Sequence, residues 1–194
     1  MEPSPPAQER TWRRGVRITT PNDHALVEQA RSGDREAFAE LVRRHREGLY
    51  AFAARLTRDA DRALDITQEA LLRAFANLGR YRGESAFRTW LFAIALNVVR
   101  SAARRRSRDE VDLDHAGPLV DTNPGPDRSA GDAEEVERVA RVLARLPPKQ
   151  RAAVVLRVYE ELSFREIGEV LGCAEGAARV NYHHGIKKLR EMMS

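Results

Sequence analysis

The chain has 194 residues, with 33 Lys+Arg against 29 Asp+Glu and a net charge of +4 at neutral pH. That length fits one large domain or two small ones, and 42% hydrophobic residues suffice for a core. No apolar run reaches the ~18–20 residues of a membrane span, and Arg13-Arg14 lacks the apolar stretch that would follow it in a secretory signal. The single cysteine, Cys173, can form neither an internal disulfide nor a multi-cysteine zinc site. These features predict a water-soluble protein of a reducing, cytoplasmic compartment with no membrane insertion.

Proline placement sets the organisation. Four of the nine prolines precede Asn22, none follows until Pro118, and the tract between is rich in Ala, Leu, Arg and Glu. Such a tract reads as helical, behind a disordered N-terminal tail over 1–22. Asn22 or Asp23 caps a first helix and Gly33 ends it. Phe38, Leu41, Val42, Leu49, Phe52, Ala53 and Leu56 then keep helical spacing in a second. A third is predicted from about Asp59 to Leu78 and a fourth from about Ala86 to Arg106, joined by the glycine-punctuated loop Gly79 to Glu84. On the fourth, Phe87, Trp90, Leu91, Ile94 and Val98 are assigned to the core. No strand-like alternation appears.

From Asp109 to Glu137 there are ten acids and one base, Arg128, a net −9, so the rest of the chain carries +13. With Pro118, Pro124, Pro126 and several glycines, the stretch 109–134 is predicted to be a flexible acidic linker. Beyond it, Val136, Val139, Ala140, Leu143 and Leu146 make an amphipathic helix that stops at Pro147-Pro148. The next helix is read with Ala153, Leu156 and Tyr159 on its apolar face. Ser163-Phe-Arg-Glu166 is a capping-box pattern opening a short helix with Phe164, Ile167 and Leu171 inward. Gly172 ends it, and a basic helix runs from Ala174 to Glu191. A short helix, a tight turn near a glycine and a basic helix form a helix-turn-helix signature. The fold class is therefore all-α, two helical domains over 23–108 and 135–194.

No catalytic constellation emerges. His24, His45, His115, His183 and His184 are scattered and match no metal motif, and Gly79 to Gly83 lacks the features of a phosphate loop. Binding is the better class, and three surfaces carry it. Asp65, Gln68, Glu69 and Leu72 share one stripe of the third helix, away from Ile66, Ala70 and Phe75. By spacing alone that is a solvated face with one interface-like leucine. The fourth helix has no acid between Ser85 and Arg108 but has Arg88, Arg100, Arg104, Arg105, Arg106 and Arg108. There Asn97, Arg100 and Arg104 offer amide and guanidinium groups to bases and phosphates. On the last helix, Glu175, Arg179, Val180, Asn181 and His183 lie where a recognition helix enters the major groove, whereas Lys187, Lys188 and Arg190 lie further along.

Taken in order, Asp65-Ile-Thr-Gln-Glu69, then Tyr81-Arg-Gly-Glu-Ser-Ala-Phe-Arg-Thr-Trp90-Leu, then Asn97 and its arginine cluster resemble region two of the extracytoplasmic-function sigma factors, the small members of the sigma-70 superfamily. Leu146-Pro-Pro-Lys-Gln-Arg151 and Leu162-Ser-Phe-Arg-Glu-Ile-Gly168 through Cys173 resemble region four. The resemblance implies a bacterial promoter-specificity subunit with no enzymatic activity and no cofactor. It implies that Asp65, Gln68, Glu69 and Leu72 dock on the β′ clamp helices of core RNA polymerase, and that region four meets the β flap. Tyr81, Arg82, Ser85, Phe87, Asn97, Arg100 and Arg104 would hold unstacked bases of the −10 element. Glu175, Arg179, Val180, Asn181, His183 and His184 would read −35 duplex. The family commonly has Ser-Arg where Val180-Asn181 stand and Arg where His184 and Ile186 stand, so the implied −35 sequence differs from the usual one. An anti-sigma factor is the implied regulator, and the implied location is the cytoplasm, at the nucleoid when polymerase-bound. The rivals are a stand-alone helix-turn-helix regulator, which would not need Asp65-Gln68-Glu69 or the Tyr81 loop, and a nucleic-acid-processing enzyme.

Overall fold

The computed structural model describes residues 12–13, 16–17, 22–109 and 130–193, by backbone alone in 12–13, 16–17, 107–109, 130–134 and 136–137. Trp12–Arg13 (β1) and Val16–Arg17 (β2) pair antiparallel, Trp12 opposite Arg17. The rest of the predicted tail, and the predicted linker from 110 to 129, lie outside the described residues.

Four helices form the first half: α1 (Asp23–Arg31), α2 (Arg35–Thr57), α3 (Ala60–Asn77) and α4 (Phe87–Asp109), with a 3-10 turn at Leu78–Arg80 after α3. Their starts are fixed by short polar side chains that accept orphan backbone N–H groups. Asn22 accepts from Ala25, Asp34 from Glu36 and Ala37, and Asp59 from Arg62. Asn22, not Asp23, is thus the first cap; Asp23 lies inside α1, where it pairs with His45 Nε2 at 2.6 Å and Arg44 at 3.1 Å on α2. Leu41, Leu49 and Phe52 of α2 interleave with Ile66 and Ala70 of α3 and Leu91 and Phe92 of α4, all buried. Phe52 and Phe92 meet edge to face with centroids 5.1 Å apart. Phe87, Leu91 and Val98 are buried, while Trp90 and Ile94 pack at the edge of the core.

The second half comprises α5 (Ala130–Ala144), α6 (Pro148–Val158), α7 (Phe164–Leu171) and α8 (Glu175–Met193). The helix α5 begins inside the stretch read as linker. Pro148 occupies the first turn of α6, where its missing N–H costs no bond. The capping box closes as predicted: Glu166 accepts from the Ser163 backbone at 2.8 Å and Ser163 Oγ accepts from Glu166 at 3.3 Å. Gly172 at φ +69° supplies the left-handed residue that turns the chain from α7 into α8. Tyr159 departs from its predicted inward placement. It is the C-cap of α6, 41% exposed, and its ring lies under the Arg55 guanidinium at 4.0 Å.

The two halves share one core, which an amphipathic pattern could not reveal. Leu156, Ile167, Val170 and Leu171 belong to the same buried cluster as Phe52, Leu91 and Leu96, with α7 laid on α4. Polar ties span the seam. Arg88 bonds Glu160 at 2.6 Å, the Thr89 hydroxyl donates to Glu166 at 3.2 Å, and Arg151 donates to the Leu56 carbonyl at 3.0 Å.

Candidate polymerase and nucleic-acid interfaces

The α3 stripe stands at the surface. Asp65 and Gln68 are exposed, Glu69 is half-exposed and accepts from Arg73 Nε at 2.7 Å, and Leu72 is 65% exposed. The four residues form one lip of a groove of about 870 Å³ between α3 and α4, with Ile66 and Val98 among its lining and Arg105 and Arg106 near its far side. An apolar floor between an acidic and a basic lip suits the charged apolar face of a partner helix. Sequence spacing missed part of this surface. Phe75, expected to turn elsewhere, is 56% exposed and packs edge-on against Phe38 with centroids 5.0 Å apart, and Leu64 is 49% exposed. Leu64, Gln68, Leu72 and Phe75 recur at helical intervals, a signal present in the sequence that the stripe through Asp65 and Glu69 left out.

The residues expected to hold bases separate into two groups. Tyr81 and Phe87 are buried, Phe87 in keeping with its assignment to the core. Their rings lie 5.9 Å apart, Trp90 is 5.0 Å from Tyr81, and the Tyr81 hydroxyl donates to the Ser85 carbonyl at 2.5 Å. Burial, with a smaller push from Asp23, raises the Tyr81 phenol above its ordinary value, so it stays a neutral donor. These two rings floor the loop. Above them Arg82 is exposed and Ser85 half-buried, and Gly83 turns the loop at φ +73°. Further along α4, Asn97 and Arg104 are exposed, Arg104 donating to Ser101 Oγ at 3.0 Å, while Arg100 reaches across the seam to the Leu171 carbonyl at 3.5 Å.

On α8, Ala178 and Gly185 are buried, and the opposite face is open. Glu175 holds Arg179 at 2.8 Å, and the Arg179 guanidinium lies 5.1 Å from the Phe164 ring, the same distance as Arg157. These contacts place Arg179 near the N-terminal turn of the helix, with its side chain still 54% exposed. Val180 is 52% exposed, and His183 and His184 are exposed, His183 meeting the Tyr182 ring edge to face with centroids 5.3 Å apart. Asn181 is half-buried and donates its amide to the Ala177 carbonyl at 2.8 Å, a bond that must break before it could grip a base through both amide atoms. Among the described residues no helix is long and apolar enough to cross a membrane, and no group of His, Cys, Asp or Glu is placed to hold a metal.

Known proteins share this arrangement. Residues 41–109 match the Sigma-70 region 2 family model and residues 137–189 the Sigma-70, region 4 model. The chain is 34% identical over 172 residues to the RNA polymerase sigma-H factor of Pseudomonas aeruginosa, covering 84% of this chain and 89% of that one. It is 30% identical over 176 residues to the ECF RNA polymerase sigma factor SigW of Bacillus subtilis, covering 86% and 94%. Among solved structures, CnrH in complex with the cytosolic domain of CnrY superposes at TM-score 0.69, 27% identity, over 88% of this chain and 96% of that one. The sigma factor RpoE of Bartonella quintana, bound to the anti-sigma factor NepR, does so at TM-score 0.69, 25% identity, over 80% and 96%. The protein belongs to the extracytoplasmic-function RNA polymerase sigma factors, non-enzymatic subunits that give transcription initiation its specificity.

Proposed function

We propose that the chain docks on the β′ clamp helices through Asp65, Gln68, Glu69 and Leu72, that region four meets the β flap, and that the assembled enzyme recognises promoters through α4 and α8 and opens them at the −10 element. The observation that carries this is the α3 stripe. A leucine 65% exposed between carboxylates, at the lip of an apolar groove, has the composition of a protein contact. Arg82, Ser85, Asn97, Arg100 and Arg104 would take the non-template strand of the −10 element, with Tyr81 and Phe87 shaping the loop beneath. Melting two or so base pairs costs about a few kcal/mol, offset by trapping the flipped bases and by polymerase contacts. Glu175, Arg179, Val180, Asn181, His183 and His184 would face the −35 duplex. The structural neighbour RpoE is bound to the anti-sigma factor NepR, and CnrH to the cytosolic domain of CnrY, which supports an anti-sigma factor as the regulator here. The chain would act in the cytoplasm, where polymerase is.

The rival of a stand-alone helix-turn-helix regulator leaves the α3 stripe without a role. Sequencing transcripts made in vitro by core polymerase plus this chain tests the proposal. New start sites sharing paired −35 and −10 sequences support it. Failure of the chain to bind core polymerase, with retained duplex binding, supports the rival.

A further inference from the structure

We infer that Phe164, at the start of α7, is a positioning residue for −35 specificity: its ring holds the Arg179 guanidinium of α8 in the pose that reads one base. The inference rests on the −35 reading above and adds to it a side chain of the neighbouring helix. The guanidinium carbon of Arg179 lies 5.1 Å from the centre of the half-buried Phe164 ring, and that of Arg157 lies at the same distance. Between centroids, Phe164 is also 5.5 Å from Tyr182 and 6.2 Å from His183. Arg179, Tyr182 and His183 share one stripe of α8, so a single ring of α7 faces that stripe. The ring is itself well anchored. Ser163 and Glu166 pin the first turn of α7 by their reciprocal capping bonds, and Arg157 donates to the Leu162 carbonyl at 2.8 Å. Gly168 lets the two helices close on each other, since a methyl group there would come within 2.7 Å of the Cys173 carbonyl and 3.3 Å of the Glu175 backbone nitrogen.

The chemistry of the contact leaves the arginine free to read. Glu175 Oε1 takes one N–H of Arg179, from Nη2, at 2.8 Å. The ring attracts the cation as a whole, so it competes with a base for none of the in-plane N–H groups. The remaining donors of the fork stay open to the two acceptors of a guanine edge, O6 and N7. The ion pair alone does not fix this pose. Both partners are about half exposed, and such a pair contributes little and lets the guanidinium swing about its carboxylate. Packing against Tyr182 explains an apolar side chain at position 164, but a leucine would serve that purpose without the negative face that draws a guanidinium. Two arginines directed at one ring, at a surface open to water, are what the packing account leaves over. The residue that reads the base and the residue that aims it therefore lie on different helices of the helix-turn-helix.

The test uses the holoenzyme and a panel of promoter duplexes, each with one base pair changed in the −35 element of a promoter mapped as above. The readout is discrimination, the ratio of affinity for the unchanged promoter to that for each changed one. Both affinities come from one preparation, so a fraction of misfolded protein cancels. Arg179→Ala first identifies the position that Arg179 reads. At that position alone, Phe164→Leu should lower discrimination about two- to fivefold, the range of a cation–π contact at an exposed site. Phe164→Tyr keeps the ring and should hold discrimination at the wild-type level. In the Arg179→Ala background, Phe164→Leu should change nothing further at that position, because the contact is already gone. Wild-type discrimination in Phe164→Leu, an equal loss at every position, equal losses in the Leu and Tyr variants, or a loss that adds to that of Arg179→Ala would each overturn the inference. Failure of the −35 reading itself looks different, since Arg179→Ala would then leave every position as selective as in wild type, and the inference would fall with it.

Discussion

Replacing Arg151 tests whether the seam between the halves is held by hydrogen bonding or by apolar contact alone. Its guanidinium is set among backbone carbonyls, donating to Leu56 at 3.0 Å at the end of α2, to Leu146 at 3.2 Å, and to Ala144 at the end of α5. Two of these acceptors lie where helices end and their last carbonyls lack partners within the helix. Each bond to a charged donor contributes about 1.5–3 kcal/mol net, because its loss leaves a carbonyl unpaired. Against that stands the desolvation of a cation, of several kcal/mol. Burial, and the neighbouring Arg58 charge, hold Arg151 below the usual arginine value, and its buried Nε–H has no hydrogen-bond partner. The difference leaves an expected loss of roughly 2–4 kcal/mol for Arg151→Met, which fills the volume without donating. Arg151→Lys, a point charge without the fork, should lose about half as much. Urea unfolding at pH 7 reads the loss, and the slope with urea shows whether the halves still unfold together. Stability of Arg151→Met within about 0.5 kcal/mol of wild type would refute the reasoning.

Asp65→Arg or Glu69→Lys should abolish assembly with core polymerase at unchanged helicity, since both side chains lie at the surface and a reversed charge would face a basic partner; co-migration on gel filtration reads this, and wild-type assembly counts against the docking site. Asn97→Ala should slow open-complex formation more than duplex binding, because its amide meets bases only once they unstack; 2-aminopurine fluorescence in the −10 element follows the opening rate. Arg179→Ala should cost roughly 1–3 kcal/mol at one −35 position and make that position permissive, whereas a uniform loss across a panel of point-mutated sites would mean that Arg179 contacts only phosphate. Asp23 is held below its ordinary 3.8, first by the His45 hydrogen bond and further by Arg44, against the opposing effect of burial. Its contribution to stability is therefore complete above that value and lost as the pH falls through the lower folded value. Wild type should accordingly lose melting temperature below about pH 4 more steeply than Asp23→Asn, and parallel curves would exclude the pairing as a source of acid sensitivity.

Local features of this protein were legible from sequence because they depend on near neighbours. Helical periodicity placed Phe52, Ile66 and Leu91 in the core, Ser163 and Glu166 announced their capping box, and the order of motifs around Asp65, Tyr81 and Asn97 carried the family resemblance. Outward or inward placement near a helix edge was harder, because a single aromatic is compatible with either. Phe75 and Tyr159 are exposed, Phe75 edge-on to Phe38 and Tyr159 beneath the Arg55 guanidinium, while Tyr81 and Phe87 turn under their loop to pack on Trp90. The packing of α7 on α4 was decided by tertiary structure alone. Residues 72 apart, Arg88 and Glu160, meet at 2.6 Å across a seam that no spacing within one helix encodes. An amphipathic pattern states which face is to be buried, whereas the identity of the covering surface depends on shape and charge brought together from distant parts of the chain.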